Sequence, residues 1–224
     1  MRRAVACVLA IVWLAASLPG DARQAGPYPE LRPVDEAAQQ PDFFTFRAQL
    51  QAAVARRDVA AVLAVVSPTI RNTFGDDDGK AAFEKMWRLD QPDSELWQEL
   101  GTALALGGSF DSAGNFVAPY TFSRWPNAID SFEHVAVVGS QVTVRAAPSM
   151  TSAALASLSF AVVPVARDAK QRPVTAAENW TSVRLNDGRT GYVANRYVRS
   201  PIDYRAIFAR VDGAWRLIMF IAGD

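Results

Sequence analysis

Residues 180–193 read Trp180-Thr181-Ser182-Val183-Arg184-Leu185-Asn186-Asp187-Gly188-Arg189-Thr190-Gly191-Tyr192-Val193. Two short runs rich in β-branched and aromatic residues flank Asn186-Asp187-Gly188. That combination predicts a β-hairpin, because Asn, Asp and Gly accept the backbone angles of a tight reversal while the flanking runs keep strand character. Strand signals continue on both sides. Upstream lie residues 160–165, the β-branched runs 142–144 and 135–138 split by Gly139, and residues 116–120. Downstream, residues 204–208 precede a second turn signal, Asp212-Gly213. Several short strands at close spacing with turn residues between them predict a small barrel.

The stretch before Gly108 has a different period. Phe43, Phe46, Leu50 and Val54 recur at helical spacing. Asp58 follows as an N-cap, its carboxylate placed to accept free amide hydrogens of a second helix through Val59, Val62, Leu63 and Val66, which Pro68 ends. After a Gly- and Asp-rich loop, residues 75–79, a third helix carries Phe83, Met86 and Trp87. Asp93 and Ser94 open a fourth, with Leu96, Trp97, Leu100 and Leu104, closed by Gly107 and Gly108.

Residues 135–199 resemble the bacterial SH3 family of small extracytoplasmic barrels. The opening strand and loop of that family are matched by Val142-Thr143-Val144-Arg145-Ala146-Ala147-Pro148-Ser149. Leu155, Leu158 and residues 162–165 follow, then Trp180, Val183-Arg184-Leu185, Asp187-Gly188-Arg189-Thr190-Gly191-Tyr192-Val193 and Tyr197-Val198. A tryptophan strand, an Asp-Gly turn and a Gly-Tyr-Val strand in this order form the most specific part. The resemblance implies an SH3-like barrel that recognises cell-wall peptide or peptidoglycan. Its alternatives are an envelope protein–protein interaction module, or a small molecule bound in the remaining domain, where Phe83, Trp87, Trp97 and Phe220 are candidates to line a pocket.

The last segment needs a partner. Residues 204–221 form a hairpin that is apolar on both faces, with Tyr204, Ala206 and Phe208 opposite Trp215, Leu217, Met219 and Ile221, and a two-stranded hairpin is marginal in water on its own. The barrel is complete by Val198, so the helical region is the expected partner. The fold class is therefore α+β: residues 42–134 and 200–224 form a host domain, and residues 135–199 form the inserted barrel. The host resembles the nuclear transport factor 2-like group of cone-shaped α+β domains. The likeness rests on the helical entry from Phe43 to Val66 with Asp58 between the helices, and on the ending Gly213-Ala214-Trp215-Arg216-Leu217.

Ahead of this body, residues 1–22 read as a secretory signal: Arg2 and Arg3, an uncharged run over residues 4–16, then small residues. Residues 23–41, with Pro27, Pro29, Pro33 and Pro41, read as a linker. The expected location is periplasmic or extracellular, with no membrane span after signal cleavage. Cleavage removes the only cysteine, Cys7, so thiol and disulfide chemistry is not expected of the mature protein. It also takes 23 basic and 23 acidic residues to 21 and 22, with no basic run, which argues against nucleic acid as a partner.

No catalytic or metal-ligating constellation is expected, and no cofactor. Asp76, Asp77 and Asp78 are consecutive rather than alternate, which suits a solvated turn and not a calcium loop. His134 is the only histidine, and no Gly-x-Ser-x-Gly motif accompanies it. Glu95 and Glu99 share one helical face in the ordinary way of a solvated surface. The candidate ligand-binding residues are Arg189, Tyr192, Asn195 and Tyr197, since aromatic side chains offer rigid contact area and arginine pairs with carboxylates. Trp180, among β-branched neighbours on a strand, is assigned to the core.

Overall fold

The computed structural model describes residues 28–170, 172–174 and 177–223; the expected signal lies outside them. The first helix, α1 (Pro41–Ala55), turns its Phe43, Leu50 and Val54 inward. Asp58 caps α2 (Val59–Val65) as the sequence implies, accepting from the Ala61 amide at 3.0 Å. Pro68 does not end that helix. The chain leaves α2 directly into strand β1 (Val66–Arg71), and Pro68 is exposed within it. β1 is an edge strand, where a residue without an N–H is tolerated. Helices α3 (Lys80–Met86) and α4 (Leu96–Ala105) follow, then β2 (Ser109–Phe110), β3 (Phe116–Ala118) and the short α5 (Tyr120–Ser123).

The chain is α+β. Between residues 134 and 199 lie β4 (His134–Val137), β5 (Val142–Arg145), β6 (Ala154–Leu158), β7 (Val162–Pro164), β8 (Trp180–Arg184), β9 (Thr190–Ala194) and β10 (Val198–Arg199). The terminal hairpin is β11 (Arg205–Val211) and β12 (Ala214–Ile221). Asp212 and Gly213 close it with φ of 51° and 79°, the two positive angles that a two-residue turn of matching twist requires. Its sheet runs β1-β12-β11-β3-β2, with β1 parallel to β12. A bulge beside Ile207 and Phe208 resets the alternation of β12, so Trp215 and Leu217 and then Phe220 all face inward. They share one core with Phe43, Phe83, Trp87 and Leu100. Phe83, Trp87 and Phe220 fill this core, with Trp87 and Phe220 ring centroids 5.2 Å apart, and Trp87 also borders a surface recess with Met86, Arg88, Glu95 and Tyr204.

Residues 134–199 build two further sheets, β10-β4-β7 and β6-β5-β9-β8, over a second core that includes Val137, Val144, Val163, Val183 and Val193. Both sheets are open. The expected closed barrel is not formed: among the described residues no continuous ladder joins β7 to β8, and the two sides meet through an isolated bridge between Val165 and Val183 and a bond from the Ala166 amide to the Ser182 carbonyl. The Asn186-Asp187-Gly188 turn forms as the sequence implies: Leu185 accepts from the Gly188 amide, donates to the Arg189 carbonyl, and Gly188 has a φ of 82°.

Residues 28–40 are not a linker. The Leu31 amide donates to the Phe160 carbonyl and the Val162 amide to Pro29, while the Tyr28 hydroxyl accepts from the Asn186 amide. A few residues on, Asp35 holds the buried Arg47 of α1 at 2.7 Å, and the Glu36 carboxylate accepts from the Phe110 amide. Leu31 joins Tyr120, Ala136 and Val162 in a third apolar cluster between the two cores. Proline-rich composition reads as a loop, but backbone bonds to distant strands fix this segment as a strap.

Candidate functional site

The four residues singled out by sequence do not converge. Arg189 and Asn195 flank β9 on opposite ends, roughly 20 Å apart at the usual rise of a strand. Arg189 is exposed at the hairpin turn, and its guanidinium is occupied by Asp187 at 2.7 Å. Hydrogen bonds from Arg189 hold the Asp187 carboxyl below its ordinary range, so the pair neutralises itself. Tyr192 stands on the outer face of β9, in register with Ser182 on β8 and Arg145 on β5. Asn195 accepts from the Thr181 hydroxyl at 2.8 Å. Tyr197 is exposed, and the Arg196 guanidinium lies 5.0 Å from its ring centroid.

Tyr197 alone of the four lines a groove, of about 190 Å³, across the outer face of the four-stranded sheet. Its other walls are Arg145, Met150, Trp180 and Arg196. Trp180 is therefore not a core residue: it is half-buried and faces the groove. Strand parity carries the signal. Val183 and Leu185 face the core, so Trp180, Ser182 and Arg184 belong to the opposite face, and Val142 and Val144 place Thr143 and Arg145 likewise. Met150 comes from the loop after β5, held by Ser152: its carbonyl accepts from Arg145 at 2.8 Å and its hydroxyl donates to the Ala147 carbonyl at 2.9 Å.

The groove carries two guanidinium groups and no carboxylate in its lining. Among the described residues, neither Arg145 nor Arg196 forms an ion pair. A cationic rim around tryptophan, tyrosine and methionine suits a ligand with an apolar body and an anionic group. Residues weighed for other chemistry are engaged locally. The His134 ring Nδ1–H donates to the Asp130 carbonyl at 3.0 Å, Asp78 accepts from the Asn72 amide at 2.9 Å, and Glu99 lies 3.3 Å from Arg199. Among the described residues no group of three or more His, Cys, Asp or Glu is placed to hold a metal ion, and no helix is long and apolar enough to cross a membrane.

No family model matches the chain, and comparison with curated proteins and with solved structures finds no relative.

Proposed function

We propose that this is an exported, non-catalytic binding protein in which an SH3-like unit, residues 135–199, set into a host of residues 42–134 and 200–224, recognises cell-wall peptide or the peptidoglycan that bears it. The observation that carries this reading is the groove in which Arg145 and Arg196, in no ion pair among the described residues, flank Trp180 and Tyr197. Stem peptides of the wall carry carboxylates beside short apolar side chains, which is the chemistry such a groove complements. Support also comes from the signal-like residues 1–22 and from the Trp, Asp-Gly and Gly-Tyr-Val strand sequence.

Cosedimentation of the intact protein with purified peptidoglycan tests it. Trp180→Ala and Arg196→Ala each lower the bound fraction, with affinity losses of roughly 5- to 100-fold if each contributes as a central interface residue does. Arg189→Ala, which removes a self-neutralised cation, leaves binding unchanged. Absence of the protein from the pellet, or loss with Arg189→Ala but not with Arg196→Ala, would refute the assignment.

A further inference from the structure

Arg196 is shared between two recesses. On one side it rims the groove; on the other it lines a cleft of about 700 Å³ between α4 and the β10 edge of the second unit. Ligand sites of roughly 300–1,000 Å³ are usual, so the groove by itself is small and the cleft is of ordinary size. The two share Arg196 in their linings, so a ligand that reaches past this side chain touches both.

Apart from Arg196 at its rim, the charges of the cleft are already committed to one another. Arg199, buried, lies between Glu99 at 3.3 Å and Asp203 at 3.4 Å, and donates to the Tyr204 carbonyl at 3.0 Å. What remains is uncharged hydrogen-bonding capacity. The side chains of Gln98, Thr102 and Asn179 line the cleft and bond no other described residue. Asn195 spends its oxygen on Thr181 and keeps its amide hydrogens free. An apolar occupant would desolvate these amides and hydroxyls without replacing their bonds with water, and a charged one would compete with the Arg199 network. A ring bearing several hydroxyl and acetamido groups offers donors and acceptors together, which is what amide and hydroxyl side chains complement.

We infer that the cleft takes an uncharged sugar: the glycan part of the wall polymer whose peptide the groove holds, with Arg196 at the junction. The inference rests on the peptide reading above and extends it to a glycopeptide ligand that touches both units. Linking the two parts makes the second contact intramolecular, so affinity rises without any change in either subsite.

Calorimetry on the intact protein with three probes separates the possibilities: a wall tetrapeptide, the N-acetylated wall disaccharide with its lactyl carboxyl capped as the amide to keep it uncharged, and the disaccharide joined to the tetrapeptide. The joined probe is expected to bind at least about tenfold more tightly than the tetrapeptide. Thr102→Trp, which fills the cleft, and the milder Gln98→Ala each erase or reduce that gain while leaving tetrapeptide affinity unchanged; circular dichroism confirms that each variant is folded. Equal affinity for the joined probe and the tetrapeptide would overturn the inference and leave the peptide reading intact, as would a gain untouched by both variants. Disaccharide binding that Thr102→Trp abolishes, without tetrapeptide binding, would uphold the cleft and sink the peptide reading. Silence from all three probes would sink both.

Discussion

Gly191 opens the Gly-Tyr-Val signature, and its place in the structure gives a direct test of the packing that sets the groove. It lies on β9 with an unexceptional φ, so its role is to save space and not to permit an unusual angle. A Cβ built there would stand 2.3 Å from Val144 Cγ1 on β5 and 3.7 Å from Leu155 Cδ1. Ordinary carbon contacts are ~3.5–4.0 Å, so the two strands would have to part locally by about 1.2 Å or more. Val144 is fully buried and β-branched, with few rotamers to yield. Overpacking of this kind costs about 1–3 kcal/mol, offset by ~0.4–1 kcal/mol from the stiffer unfolded chain of alanine. Gly191→Ala is therefore expected to destabilise, by about 1.3 kcal/mol from the middle of both ranges. Val144→Ala alone opens a cavity, and in the double variant the new Cβ occupies part of it. The two changes should couple favourably by about 1 kcal/mol or more. Urea titration followed by tryptophan fluorescence and circular dichroism reads all four corners of the cycle. A Gly191→Ala protein as stable as its parent, or strictly additive effects, would refute the argument.

Three further outcomes follow from the fold. Asp35 is expected to lend stability that depends on acidity. Burial would raise its carboxyl, but the hydrogen bonds from Arg47 and the Ala37 amide outweigh burial and hold it below its ordinary value. A depressed folded-state value means the contribution is complete above about pH 4, the unfolded aspartate range, and is lost as pH falls through the folded value. Asp35→Asn should thus cost about 1–3 kcal/mol near neutrality, and the gap from the parent should narrow on acidification; a gap constant with pH in urea melts would count against it. Asp58→Ala removes the cap of α2 and should cost about 1 kcal/mol by the same melts, whereas Asp58→Asn should cost little. Leu31→Ala empties the centre of the apolar cluster beneath the strap and should cost about 2–4 kcal/mol, with faster proteolysis near residue 31; unchanged cleavage would mean the strap is not held there.

Much of the secondary structure was legible because it is local. The 3.6-residue recurrence from Phe43 to Val54, the Asp58 cap and both hairpin turns are specified by residues within a few positions of one another. What could not be read depends on distant partners. β1 continues the apolar run of α2 without a break, and only the parallel pairing of Val66 with Leu217 makes it a strand. The strap has few apolar residues of its own, and its order comes from Phe160 and Val162 far along the chain. The groove was half legible. Strand parity was enough to place Trp180 and Arg145 outward, yet Met150 and Arg196 come from a loop and a turn, whose side-chain directions no period fixes. Arg189 looked like a ligand contact because its residue type is right; Asp187, two positions earlier, had already claimed it.

The strap also bears on how the groove and the cleft would bind. Its anchors in the second unit, Leu31 and Pro29, are only a few residues from its anchors in the first, Asp35 and Glu36. The backbone between Leu31 and Asp35 reaches at most ~14 Å when fully extended. The two units therefore cannot separate further on that side while those bonds hold. On the other side, the Arg199 guanidinium ties β10 to Glu99 of α4 and to Asp203. With a tie on each flank, the cleft between α4 and β10 has its width set before any ligand arrives. A preset cleft spares a ligand the ordering of two bodies, a cost that otherwise consumes much of the gross contact energy. A glycopeptide spanning both units would thus gain from the second contact nearly in full, which is why the joined probe, rather than either half alone, should show the largest affinity.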